Sequence, residues 1–170
     1  MIPWDPPDIP RRDLFTFARS GDLASARAAV IAGAEVNART ASGDTPLLAA
    51  ASHGRLDFAR FLLDSGALPD LPDVVGQTPL MATCFHGSVQ LAHLLIIRGA
   101  NVNARNTDGG TALMFAALFG HLELAELLLR NGADKWITDQ RGHTALGLAR
   151  GQGHHSLSLL LDQWGRDVVR

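Results

Sequence analysis

Apolar positions fall along this chain in short helical stretches, and the same stretch returns at a fixed interval. The segment Gly109 to Ala133 reads GGTALMFAALFGHLELAELLLRNGA. A threonine precedes a short apolar run, a glycine stops it, and a Leu-rich run follows before a Gly-Ala pair. Apolar residues spaced three and four apart predict amphipathic helices. Threonine is a good N-cap, and glycine supplies the left-handed position that closes a helix. Each signal recurs in register. Thr45, Thr78, Thr111 and Thr144 are 33 residues apart, as are Gly43, Gly76, Gly109 and Gly142. Gly33-Ala34, Gly66-Ala67, Gly99-Ala100 and Gly132-Ala133 keep the same spacing. A fixed period of this size predicts an all-α solenoid of stacked helix-turn-helix units.

Taken in order, residues 1–12 form a Pro-rich arm, with prolines at 3, 6, 7 and 10, which is expected to be extended. Trp4 in this arm either covers the first repeat or lies in or beside a binding groove. A repeat domain is expected over 13–164, in units of about 13–39, 40–72, 73–105, 106–138 and 139–164, followed by a short tail at 165–170. The first unit is degenerate, because Arg12 stands in the threonine register. Asp13 is expected to cap a helix from Leu14 to Ser20, and a second helix is expected from Leu23 to Ala32. In the second unit Pro46 follows the capping Thr45 at the first helical position, where its missing N–H costs nothing. In the fifth unit Gly147, Gly151 and Gly153 weaken the first helix, and the last helix is expected from Leu157 to Gln163.

Composition narrows the picture. The net charge is −2, and the 15 Lys and Arg are scattered. That argues against nucleic acid or an anionic membrane as partner. The one cysteine, Cys84, excludes an internal disulfide and fits a reducing compartment. The N-terminus lacks the basic start and apolar core of a secretory signal, and no apolar run approaches a membrane span. The expectation is a soluble, monomeric, cytoplasmic protein.

The units resemble ankyrin repeats. That family opens its repeat with Thr-Pro-Leu-His and an alanine-rich turn. Here the motif stands as TPLLAAA at Thr45, TPLMATC at Thr78, TALMFAA at Thr111 and TALGLAR at Thr144. The closing Leu-Leu and Gly-Ala signature stands as FLLDSGA, LLIIRGA and LLLRNGA. The resemblance covers about Asp13 to Gln163. It implies stacked helix pairs joined by β-hairpin-like loops. The family's motif histidine bonds within and between repeats, but its positions hold Leu48, Met81, Met114 and Gly147. Apolar packing is expected to replace that stitching. Trp136 likewise stands where a small polar residue is usual.

Candidate chemistry is sparse. His53 and His86 hold equivalent positions one repeat apart, so they are expected about 10 Å from each other. Zinc bonds are about 2 Å long, so the two cannot share one ion. His154 and His155 are neighbours that point to different faces of a helix. Cys84 falls in a register of small core residues, with Ala51 and Ala117 as its equivalents. Asp108-Gly109-Gly110 lacks the lysine and preceding strand of a phosphate loop. No catalytic residue, cofactor or metal site is expected, and the chain is not expected to be an enzyme.

What the resemblance implies about function is a concave face built from loop tips and first-helix ends, where another protein binds. Carried onto this chain, the candidate contacts are Val74, Val75, Gln77, Phe85, His86, Arg105, Thr107, Asp108, Leu118, Phe119 and Arg141. Val74, Val75, Phe85, Leu118 and Phe119 are apolar where the fold leaves positions open, with Asp44, Ser52, Gln140 and Arg141 at the ends. An apolar centre with a polar rim is the anatomy of a protein-binding surface. The Pro-rich arm or a neighbouring subunit could instead cover it, or Phe85 and Phe119 could turn inward to replace the motif histidines. The leading functional expectation is a non-enzymatic interaction module. The alternative is a dedicated inhibitor or immunity protein of one enzyme or toxin.

Overall fold

The computed structural model describes residues 13–165. The Pro-rich arm with Trp4 and all but the first residue of the tail lie outside the described residues. Ten α-helices and no strand occur among the described residues. They are α1 (Asp13–Ser20), α2 (Leu23–Ile31), α3 (Pro46–Ser52), α4 (Leu56–Asp64), α5 (Pro79–His86), α6 (Val89–Ile97), α7 (Ala112–Phe119), α8 (Leu122–Arg130), α9 (Ala145–Gly151) and α10 (His155–Gln163).

The recurring residues place the helix ends. The hydroxyl oxygens of Thr45, Thr78, Thr111 and Thr144 accept the N–H of Leu48, Met81, Met114 and Gly147 at 3.1, 3.3, 3.4 and 3.1 Å. Each satisfies one donor left open in the first turn. The Gly-Ala pairs close the second helices. The Ala67 N–H reaches the Leu62 carbonyl at 2.9 Å while the Gly66 N–H reaches Leu63 at 3.2 Å. That paired pattern is the Schellman closure.

The helices form two layers. The odd-numbered helices pack on one another in sequence, the even-numbered helices do the same, and each pair is joined by a tight turn. The odd layer is the more closely packed, because Ala49, Ala50, Ala51, Ala82, Ala116 and Ala117 are buried there. The even layer buries larger side chains such as Phe58, Leu91, Leu95, Leu124 and Leu128. Leu48, Met81 and Met114 are buried too, so apolar packing fills the place of the motif histidine at three of its four positions, while Gly147 at the fourth is exposed and brings no side chain.

Three helices differ from expectation at their ends. α2 stops at Ile31, one residue early. α10 starts at His155, two residues before the expected Leu157. His154 stands in the N-cap register of Asp22, Arg55, Ser88 and His121, so the glycine turn before it fixes where the helix begins. α1 begins at Asp13.

The loops between pairs close on themselves and on each other. Asp73 N–H meets the Gln77 carbonyl at 3.1 Å, and Asn106 N–H meets Gly110 at 3.0 Å. Successive loop tips are joined by Val74 N–H to Ser42 O (3.0 Å), Thr107 N–H to Val75 O (3.0 Å) and Gln140 N–H to Asp108 O (2.9 Å). Gly76, at φ +77°, has no room for a Cβ, which would stand 2.9 Å from Asn106 Cα.

Candidate functional site

The ends of α5 and α7 and the loop tips before them make one surface. Phe85 and Phe119 occupy adjacent registers of successive first helices, and their rings meet edge to face with centroids 4.7 Å apart. Both face solvent, Phe85 at 58% and Phe119 at 37% exposure. They have therefore not turned inward to fill the core. Leu118 is half-buried beside them. Val74 and Val75 project from their loop tip at 65% and 51% exposure.

The backbone under these residues is pinned from the next pair. His121 Nε2–H donates to the Phe85 carbonyl at 3.4 Å, and His154 Nε2–H donates to the Leu118 carbonyl at 3.2 Å. Arg55 does the same to Arg19 at 3.1 Å. Ser88 in this register is too short to reach, and His86 Nε2–H serves the Ser52 carbonyl instead. These carbonyls lie at helix C-termini, where hydrogen-bond donors are welcome. Stitching lost at the motif histidine is thus supplied from another register. The repeat pattern of residues 55, 121 and 154 carried that signal, but only the fold shows what they reach.

The polar candidates divide. Arg105 Nη2–H donates to the Thr138 carbonyl at 2.8 Å, and the Thr107 hydroxyl donates to the Val75 carbonyl at 3.0 Å. Both hold loop to loop. His86 is exposed but tied to Ser52. Gln77 is half-buried and lines a cavity of about 300 Å³ with Ser52, Ala82, Phe85 and His86. Asp108 and Arg141 are exposed at the rim of a second cavity, of about 390 Å³, between α7 and α9. The Phe85–Phe119 pair thus lies between two hollows.

The second cavity contains residues that the sequence reading passed over. Phe115 and Leu148 line it with Met114 and Leu118. Phe115 and Leu148 share a register with Ala49 and Ala82, and that change in size was the available signal. Asp139 on its rim accepts the Arg141 and His143 N–H groups at 2.9 and 2.8 Å and meets the His143 ring at 3.0 Å. The His143 N–H above all holds its carboxyl below the usual aspartate range.

Burial pushes the Cys84 thiol well above its ordinary range, so it is no ready nucleophile. Among the described residues no group of three or more His, Cys, Asp or Glu is placed to hold a metal ion. No described helix is long and apolar enough to cross a membrane.

Compared with known families, the chain matches the model described as "Ankyrin repeats (3 copies)" over residues 14–106, 66–139 and 84–170. No curated protein matches it.

Proposed function

The chain belongs to the ankyrin repeat family, whose repeats generally mediate protein–protein interaction, and from that membership we propose that it is a non-enzymatic module gripping a partner protein through the face formed by its loop tips and first-helix ends. The observation that carries this reading is the solvent-facing Phe85–Phe119 pair between two hollows. Soluble proteins seldom leave a contiguous apolar patch open without a use, and aromatic anchors at an interface centre commonly contribute about 2 kcal/mol or more each. Val74 and Val75 extend the apolar surface, and Asp108 and Arg141 give it a polar edge. Arg105, Thr107 and His86 act in this reading mainly by holding the surface in shape. The protein works as a monomer in the cytoplasm, where a reduced cysteine is stable.

Affinity purification from the native host, with wild type beside the Phe85→Ala, Phe119→Ala double variant, tests the groove. A partner recovered by wild type and lost by the variant is the expected result. Equal recovery of every partner would overturn the assignment. Thermal melting of the variant separates loss of contact from loss of fold.

A further inference from the structure

Resting on that reading, we propose that the hollow between α7 and α9 is a pocket for one large apolar side chain of an extended partner segment, with residues of opposite charge on either side of that anchor. The hollow holds about 390 Å³, within the size of ligand pockets. Its apolar lining is Met114, Phe115, Leu118 and Leu148.

The charges at its lip follow by elimination. The Asn106 carboxamide oxygen accepts the N–H of Asp108 and Gly110 at 3.1 and 2.7 Å. The Gln140 carboxamide donates to the Thr107 carbonyl at 2.6 Å. The Asp139 carboxylate is taken up by Arg141 N–H and by His143. Those three polar side chains are committed to the scaffold. The Asp108 carboxylate and the Arg141 guanidinium have no ion pair or side-chain hydrogen bond among the described residues. One anion and one cation therefore stand available above an apolar floor. A segment with a single apolar anchor and a charge on each flank complements all three features.

α9 closes one side of the hollow with Leu148.

The test uses two capped pentapeptides, acetyl-Lys-Ala-Leu-Ala-Glu-amide and acetyl-Glu-Ala-Leu-Ala-Lys-amide, and their Leu-to-Ser counterparts, titrated into the ¹⁵N-labelled full chain. One charge order should give saturable shifts at the amides of Asp108, Leu118, Arg141 and Leu148. The serine counterpart should bind at least about tenfold more weakly, as expected when a buried apolar anchor is lost. In the exchanged variant Asp108→Arg, Arg141→Asp the preferred charge order should reverse. Both residues are exposed, and an unchanged melting temperature confirms the fold. Absence of saturable shifts with either leucine peptide, equal shifts with serine, or an unreversed preference would each overturn the pocket. Partner recovery with the Phe85→Ala, Phe119→Ala variant reads the wider groove and uses neither peptide, so failure of that reading and failure of this pocket are told apart.

Discussion

Gly120 belongs to a glycine register of the repeat, whereas Gly147 stands where the other copies carry Leu48, Met81 and Met114, and the two differ in what a side chain would meet. Gly120 sits at φ +76°, and a Cβ there would stand 2.6 Å from the His154 ring. Gly147 lies inside α9, where a Cβ would meet only the Thr144 hydroxyl at an ordinary 3.6 Å. Gly120→Ala should therefore destabilise the fold by about 1–3 kcal/mol, from the left-handed backbone and the displaced ring. Gly147→Ala should stabilise it by about 0.5–1 kcal/mol, because alanine loses less backbone entropy in a helix. Urea melts of the two variants beside wild type check both signs. From sequence alone, Gly120 and its copies are legible as helix stops. The ring that fills the space at Gly120 is not, because His154 comes from 34 residues downstream.

At the scale of the element, the helix pairs differ in how they are tied to the next. Asn37 donates to the Gly66 carbonyl at 3.0 Å and accepts the Leu68 N–H at 2.9 Å. Asn103 repeats this with Gly132 and Asp134 at 2.9 and 2.8 Å. Trp136 holds the same register at the last junction and cannot make these bonds. Lys135 takes over, with Nζ donating to the Leu161 and Trp164 carbonyls at 2.9 and 2.7 Å and standing 4.9 Å from the Trp136 ring centre. An ammonium at the C-terminal end of α10 both caps it and meets the favourable end of its dipole. Lys135→Met should cost about 1.5–3 kcal/mol locally, the range for hydrogen bonds to a charged group. Hydrogen exchange should quicken in α9 and α10 while α5 and α6 hold their protection. Uniform quickening along the chain would show that α10 is not held separately.

Across the whole molecule, stability is a sum of neighbour contacts, because each pair packs on the pairs before and after it. Cys84 reports on that sum from the middle. Its thiol is fully buried in α5, among small residues of the odd layer. A thiol reagent should leave it unmodified in the native protein and react in step with opening of the central pairs. Leu95→Ala, which empties a buried site in α6, should cost about 2–5 kcal/mol and speed that labelling strongly. Fast labelling of wild type would contradict the burial. The binding face belongs to this scale as well, since Phe85 and Phe119 meet across two pairs and the hollow beside Leu118 needs residues from two loops and two helices.

What the sequence determined by itself is everything that acts within one period. Thr78 caps the helix that follows it, Gly66 and Ala67 close the helix before them, and the Leu spacing of α8 sets its buried face. These are local effects of dihedral preference and helical periodicity, so they can be read without knowing the neighbours. The exposed apolar residues of the candidate face were legible for the same reason, as departures from their copies. What only the tertiary structure decided is which groups meet across the stack. Arg105 and Thr107 spend their donors on adjacent loops, His121 and His154 pin the carbonyls of Phe85 and Leu118, and Phe115 with Leu148 lines a hollow that no single repeat contains. Distances between residues about one period apart depend on how closely two pairs approach. That approach is set by summed packing of small and large side chains, which a linear pattern does not encode.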